Sequence, residues 1–129
     1  MISNSEKDML CPFCQSLEVV AEHNSVFAIK DNYPVTKGHH LIIPFSHTEN
    51  YFSMTDKERE DATALLKSLK SKLEEEDPTI TGFNIGMNSG ESAGQTVMHS
   101  HIHLIPRRKG DTPNPRGGVR GVIPNKMDY

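Results

Sequence analysis

Three histidines recur at every second position in the segment His99-Ser100-His101-Ile102-His103-Leu104-Ile105. Successive side chains of a β-strand point to opposite faces of the sheet, so this spacing predicts a strand that carries all three imidazoles on one face, roughly 6–7 Å apart. Ser100, Ile102 and Leu104 would occupy the opposite face. A solvent-facing strand normally mixes threonine, lysine and glutamate, so a row of three titratable rings indicates a functional site.

The remaining patterns predict one α+β domain over residues 1–129, a length that is ordinary for a single core. Thr55-Asp56-Lys57-Glu58 has the form of a capping box, and apolar residues recur at helical spacing from there to Asp77-Pro78, which predicts a helix over 55–76. Short apolar runs predict strands at 19–22, 26–29, 40–43, 82–87 and 100–105. Glycine and proline are frequent after residue 107, so we expect residues 109–129 to form an extended basic C-terminal arm.

The formal net charge is −3, but its distribution is uneven, because six lysines and arginines stand against two acids from Pro106 onward. This pattern is not that of a duplex-binding protein, and it suits a small anionic substrate as well as it suits a solvated loop. The sequence has no apolar run of membrane-spanning length, and Met1–Leu10 lacks the apolar core of a secretory signal. We therefore expect a cytoplasmic protein with no nucleic-acid or membrane partner.

The two cysteines of the chain, Cys11 and Cys14, are three residues apart. Their spacing fits a redox pair, a disulfide, half of a zinc site or two unused thiols, and spacing alone does not choose among these. A reducing compartment disfavours the disulfide, and no βαβ pattern of the thioredoxin type accompanies the pair. The chain has seven histidines, so a zinc site with two cysteine and two histidine ligands is also open.

The histidine row, together with Gly94-Gln95-Thr96-Val97 before it, resembles the signature of the histidine triad (HIT) superfamily of nucleotide hydrolases and transferases. Asp31 to Pro34, Gly38-His39-His40-Leu41-Ile42-Ile43-Pro44 and His47 are similar to the first sequence block of that family. Cys11-Pro12-Phe13-Cys14 is similar to its zinc-bearing branch, which is Hint-like and dinucleoside polyphosphate hydrolase-like. These motifs lie within residues 11–108. The resemblance implies a five-stranded antiparallel sheet with one long helix and a short N-terminal helix, and two sheets that pair across a homodimer.

The resemblance also implies a reaction at the α-phosphate of a purine nucleotide conjugate, either a nucleoside phosphoramidate or a dinucleoside polyphosphate. His101 would attack the phosphorus to form a nucleotidyl-histidine that water then hydrolyses, with His103 and His39 as hydrogen-bond donors around the phosphate. The implied substrate-binding residues are Asp31 at the ribose and Asn88, Gly94, Gln95 and Thr96 at the phosphate. The implied zinc ligands are Cys11, Cys14, His47 and His99. Four protein ligands close a zinc site, so we expect structural zinc and no catalytic metal.

Two departures from the family pattern concern local packing. Ser100 stands where an apolar residue usually separates the first two histidines, and Phe45-Ser46 replaces a basic pair before His47. We also expect the basic side chains between Arg107 and Arg120 to reach the active site of this protomer or of its partner, on grounds of charge and flexibility. Apolar candidates for the base pocket, Phe13, Phe27 and Ile29, do not distinguish adenine from guanine.

Two other functions stay open at this point. One is a metal-dependent hydrolase in which His99, His101 and His103 ligate a catalytic zinc, although positions i and i+4 of a straight strand lie roughly 13 Å apart. The other is a module that binds nucleotides with negligible turnover, because a fold and a motif do not guarantee activity.

Overall fold

The computed structural model describes residues 10–15 and 17–129 of the chain. Its strands are β1 (Ala21–His23), β2 (Val26–Lys30), β3 (His40–Pro44), β4 (Ile80–Gly86) and β5 (Ile102–Arg108). They form one antiparallel sheet in the order β1-β2-β3-β5-β4. One long helix, α1 (Asp56–Glu76), connects β3 to β4. The predicted α+β fold, with a five-stranded antiparallel sheet and one long helix, is confirmed.

Helix α1 begins where the sequence supplies a cap. Thr55 Oγ1 accepts a hydrogen bond from Glu58 N at 3.0 Å, and Glu58 Oε1 accepts one from Thr55 N at 2.8 Å. This capping box satisfies backbone donors that the first turn leaves free. The helix ends at Glu76 because the residue before Pro78 is forced out of the helical region. Its apolar stripe packs on the sheet through Ala62, Leu65, Leu69 and Leu73.

The sheet has two different faces, and the histidine row lies on the face opposite α1. Ile102 and Leu104 belong to the core beneath the helix, so His103 between them points to the other face. A second apolar cluster covers part of that face, formed by Phe27, Ile29, Leu41 and Ile43 with Phe13 and Leu17 packed against it. The apolar wall expected for a nucleobase is therefore on the same side of the sheet as His103.

The strand that carries the histidine row begins two residues later than predicted. β5 starts at Ile102, so His99 and His101 precede it in a segment without strand pairing. Ser100 N donates to Thr48 O at 2.7 Å, which ties this segment to the loop after β3. The three imidazoles therefore do not share one regular strand face, and each ring has a different environment.

The hydroxyl of Ser100 has no hydrogen-bond partner, although the residue is fully buried. An unsatisfied buried polar group costs about 1–3 kcal/mol, so we expect Ser100→Ala to raise the free energy of unfolding by about 1 kcal/mol in urea denaturation. Ser92→Ala, at an exposed serine nearby, is the matched control and should change nothing. A less stable Ser100→Ala variant would show that the Ser100 hydroxyl is hydrogen-bonded in solution.

The C-terminal arm is more ordered than its composition predicts. Gly118–Val122 forms a 3-10 helix, and Gly117 before it has a φ of +87°, a left-handed conformation that glycine adopts without strain. Arg116 and Arg120 stack on the ring of Tyr129, with 4.9 and 5.1 Å between each guanidinium carbon and the ring centroid. The arm is therefore a folded segment and not an extended one.

Of the short N-terminal helix implied above, the described part of the chain includes the helical residue Leu10, and a 3-10 turn follows at Pro12–Cys14. Residues 1–9 lie outside the described part of the chain. Across residues 10–15 and 17–129, every helix is too short or too polar to span a lipid bilayer.

Candidate active site and metal cluster

His39, which directly precedes β3, and His103 in β5 form a hydrogen-bonded pair. His39 Nε2 lies 2.9 Å from His103 Nδ1, and His39 Nδ1 accepts a hydrogen bond from Val35 N at 3.1 Å. A ring nitrogen that accepts carries no hydrogen, so neutral His39 holds its hydrogen on Nε2 and donates it to His103. Neutral His103 then carries its own hydrogen on Nε2. The pair therefore presents one N–H donor, at His103 Nε2, that is not used within it.

Burial keeps this pair neutral near pH 7. Loss of solvation is the main cause that lowers the pKa of both rings below the ordinary histidine value, and the neighbouring His101 lowers the pKa of His103 further. Asp31 acts in the opposite direction, since its Oδ2 lies 3.4 Å from His39 Nε2 and 4.0 Å from His103 Nδ1. The predicted ribose ligand Asp31 thus stands beside the histidine pair, where its charge can stabilise a bound proton.

His101 is oriented by the backbone of His99. Its Nδ1 lies 2.8 Å from His99 O, and because a carbonyl oxygen only accepts, Nδ1 must carry the hydrogen. In the neutral ring the lone pair is then on Nε2. The His101 and His103 ring centroids are 5.4 Å apart, and Phe13 packs edge-on against His101 at 4.9 Å. The structure therefore places a ring with an unprotonated Nε2 beside a ring that carries an N–H donor.

Four predicted zinc ligands converge on one point. The side-chain ligand atoms of Cys11, Cys14, His47 and His99 all lie within 4.8 Å of one another. His99 Nδ1 is 3.3 Å from the Sγ atoms of both cysteines, and His47 Nδ1 is 3.2 Å from Cys14 Sγ. His99 Nε2 donates to Pro44 O at 2.8 Å, which leaves Nδ1 unprotonated toward the thiols. This group of four is called the metal cluster below.

The metal cluster fits tetrahedral zinc. Zinc bonds of about 2.3 Å to sulfur and about 2.0–2.1 Å to nitrogen put tetrahedral S···N pairs about 3.6 Å apart, close to the 3.2–3.3 Å of the three S···N pairs given above. Structural zinc sites also use two thiols and two imidazoles as ligands. In such sites a carbonyl commonly fixes the orientation of a ligand ring, as Pro44 O does here for His99. Bound there, zinc would cross-link the N-terminal segment to the loop after β3 and to the histidine row.

Asp31, His39 and His103 form a second grouping of possible metal ligands. Its geometry disfavours a metal, because His39 Nε2 keeps its hydrogen as long as Val35 N–H binds Nδ1. We interpret this grouping as a hydrogen-bond relay. The catalytic-zinc hypothesis for the histidine row is also disfavoured, since His99 faces the cysteines and His101 faces a carbonyl.

Two predicted phosphate ligands in the loop before the histidine row are hydrogen-bonded within the protein. Gln95 is buried, and its amide accepts from Gly90 N at 2.8 Å and donates to Glu49 O and Val97 O at 2.6 and 3.0 Å. Gly94 N donates to Glu91 O at 2.9 Å. Both residues therefore shape the loop, and their contact with phosphate oxygens stays a prediction.

The other two predicted phosphate ligands lie on different cavities. Asn88 lines a cavity of ≈ 610 Å³ together with His103, and its amide packs beside Gly94. Thr96 is exposed and lines a separate cavity of ≈ 470 Å³ with Cys11 and His47. The structure therefore brings Asn88, and not Thr96, into one cavity with His103.

The arm closes the cavity beside His103 mainly with apolar residues. Its contribution consists of Val119, Val122 and Met127 with two glycines, Asp111 and Thr112. Arg107 also lines the cavity, but its guanidinium is paired with Asp111 at 2.7 Å. With Arg116 and Arg120 stacked on Tyr129, the arm does not present unpaired arginines to His103, in contrast to the expectation from charge.

Sequence reasoning missed the backbone groups that set the tautomers, namely Val35 N, Pro44 O and His99 O. No sequence signal marks them, because every residue carries the same amide and carbonyl. Phe45 was noted only as a departure from the family pattern. Its ring packs on Phe27 at 4.8 Å between centroids and extends the apolar wall of the sheet.

The structure combines a five-stranded antiparallel sheet and one crossing helix with a relay of two histidines. The ring of a third histidine is held by the backbone carbonyl of a fourth histidine. Together these features define a histidine triad protein. The HIT domain model matches residues 15–110. The protein hit of Bacillus subtilis is 38% identical over 108 residues, covering 78% of this chain and 74% of the relative. The chain belongs to the HIT domain family, whose membership supports a nucleotide-binding or hydrolase-type function.

Solved structures agree with this assignment. A zinc-bound histidine triad family protein from Mycobacterium smegmatis has a TM-score of 0.75 at 31% identity, covering 83% of this chain and 81% of that one. A HIT family protein from Bacillus anthracis has a TM-score of 0.72 at 35% identity, with coverage of 79% and 76%.

Proposed function

We propose that this protein hydrolyses purine nucleotide conjugates at the α-phosphate through a nucleotidyl-histidine intermediate and releases a nucleoside monophosphate. The observation that carries the proposal is the 2.8 Å hydrogen bond between His101 Nδ1 and His99 O, which leaves a lone pair on Nε2. Neutral imidazole is a good nucleophile near pH 7. The bond from Nε2 to phosphorus forms as the bond from phosphorus to the leaving group breaks.

The His39–His103 pair handles the proton in both steps. The pair is neutral in the free protein, but a bound phosphate anion favours its uptake of one proton. His103 Nε2 then transfers a proton to the departing atom. In the second step water attacks the phosphorus, the bond to His101 breaks, and the proton of that water returns to the pair. Each cycle consumes one water and leaves the protein unchanged.

Other residues bind and hold the substrate in this proposal. Asp31 accepts the ribose hydroxyls and Asn88 binds a phosphate oxygen, with Thr96 as a further candidate at the edge of the site. The base packs on the apolar wall that includes Ile29 and Phe27. The metal cluster binds structural zinc, and its four ligands leave no open position for a reacting water, so the reaction needs no catalytic metal.

We also infer a cytoplasmic homodimer that pairs through β4. This strand is an edge of the sheet, bonded only to β5, and Ile85 on it is 52% exposed. An exposed edge with apolar side chains is a ready surface for pairing with a second copy. Sedimentation equilibrium should give twice the chain mass, and a monomeric mass would contradict the dimer.

The test of the proposed function is chromatographic release of AMP from adenosine phosphoramidate and from diadenosine tetraphosphate. We expect release by zinc-loaded protein without added metal and no change after brief exposure to EDTA. The ratio of the two rates identifies the substrate class. No release under any condition, with AMP still bound in calorimetry, would contradict the enzyme and favour the nucleotide-binding module. Release by the zinc-loaded protein only after further zinc is added, beyond one ion per chain, would favour a metal-dependent hydrolase.

A further inference from the structure

A third cavity lies mainly on the helix side of the sheet. Its volume is ≈ 610 Å³, and it is bounded by β2, β3 and the C-terminal half of α1. Its polar wall includes Lys30, Lys37, His40, Lys72, Glu76 and Arg108, and Asp31 and His39 of the site described above also line it. We call it the lysine cavity. Its lysines, His40 and Arg108 take no part in the proposed reaction.

Most positive charges of the lysine cavity have no counter-charge. Arg108 is paired with Asp77 at 2.8 Å, and Asp31, which also lines the cavity, accepts a hydrogen bond from Tyr33 N at 2.8 Å. Within residues 10–15 and 17–129, Lys30, Lys37 and Lys72 form no ion pair. The Glu76 carboxylate, which also lines the cavity, forms no ion pair within these residues either. With the Asp31 carboxylate counted as well, the charged side chains of the wall leave a surplus of one positive charge.

His40 stands in the floor of the lysine cavity. It is 5% exposed and is the direct cross-strand neighbour of Lys30, so both side chains lie on the helix side of the sheet. Its Nδ1 donates to Gly38 O at 2.5 Å, which leaves the lone pair of the neutral ring on Nε2. Burial is the main cause that lowers the pKa of His40, and Lys30 and Lys72 lower it further, so the ring is neutral near pH 7.

The Nε2 atom of His40 is open to the cavity. It has no hydrogen-bond partner in the described part of the chain. Among the described residues, Ser100 Oγ is the one fully enclosed polar side-chain atom without a partner, so His40 Nε2 is not fully enclosed. His40 Nε2 is therefore accessible, and the lysine cavity is the space that the residue lines.

We propose that the lysine cavity binds hydrogenphosphate, with Lys30, Lys37 and Lys72 contacting its oxygens and His40 Nε2 accepting its hydrogen. The lone pair on Nε2 makes the site selective, because hydrogenphosphate carries a donor hydrogen at neutral pH. Sulfate has the same double charge but no hydrogen, and its oxygens would face the lone pair of His40.

The test is a titration of isotope-labelled, zinc-loaded protein with inorganic phosphate at constant ionic strength, followed by backbone amide shifts. We expect saturable shifts at His40 and Lys72, with a midpoint different from any shifts at Asn88 and His103. Sulfate should bind about tenfold more weakly than phosphate, the cost of one lost hydrogen bond to a charged group.

Two lysines of α1 provide matched variants. Lys72→Met should weaken phosphate binding at His40 by about tenfold, because it removes one charge from the wall. Lys70→Met should leave it unchanged, since Lys70 is bonded to Glu74 and lies outside the lysine cavity. Shifts that do not saturate at His40, equal affinities for phosphate and sulfate, or equal effects of the two variants would each overturn the proposal.

Discussion

His101→Gly should lower kcat for AMP release by at least about 10⁴-fold while AMP affinity changes by less than about threefold. Loss of a covalent nucleophile removes the main reaction path, and costs of about 10⁴ to 10⁶ in kcat are typical for such residues. Nucleotide affinity should persist, because Asp31, Asn88 and the apolar wall remain in place. The measurements are steady-state AMP release and calorimetric binding of AMP.

Two controls make this prediction specific to the imidazole. His23→Gly removes a histidine of β1 whose side chain is 45% exposed and lies away from the site, and it should leave kcat unchanged. Free imidazole added to His101→Gly should restore part of the activity, because it can occupy the space of the missing ring. Full activity of His101→Gly without imidazole would assign the nucleophile to another residue.

Cys11→Ser should abolish zinc binding and lower the free energy of unfolding by about 3 kcal/mol or more. Metal affinity for the folded state contributes directly to folding, and a ligand present at one hundred times its Kd already supplies about 2.7 kcal/mol. The measurements are metal content by mass spectrometry, expected at one zinc per chain, and urea denaturation of zinc-loaded protein.

Chelation provides the control for the zinc prediction. Zinc removal should destabilise the wild type by nearly the same amount as Cys11→Ser, and it should have no effect on Cys11→Ser itself, because both changes remove the same interaction. Wild type purified without zinc, or a chelator that leaves its unfolding midpoint unchanged, would contradict a structural zinc site.

The two predictions are linked through His99. Its side chain belongs to the metal cluster, and its carbonyl oxygen holds His101 Nδ1 at 2.8 Å. Loss of zinc should therefore lower kcat more than it weakens AMP binding, since the orientation of the nucleophile depends on His99 and the apolar wall does not.

Local sequence determined much of the architecture. The capping box at Thr55 and Glu58 and the apolar stripe specify α1 to within a residue, since both signals lie within the helix itself. Five strands were predicted at nearly the observed positions because alternation and turn residues are also local. The resemblance of the histidine row and the cysteine pair to a known family correctly indicated the family of the chain and the residues of the metal cluster.

The chemical state of each histidine was decided only by the tertiary structure. Val35 N sets the tautomer of His39, His99 O sets that of His101, and Pro44 O sets that of His99. Tertiary contacts also decided the hydrogen bonds of the Gln95 amide, which binds backbone groups of the loop and Glu49 O. They likewise decided the position of Arg116 and Arg120, which pack on Tyr129 within the arm. Residue types and spacing determine which groups are available. Packing of distant segments decides which of them are already hydrogen-bonded and which remain free to act.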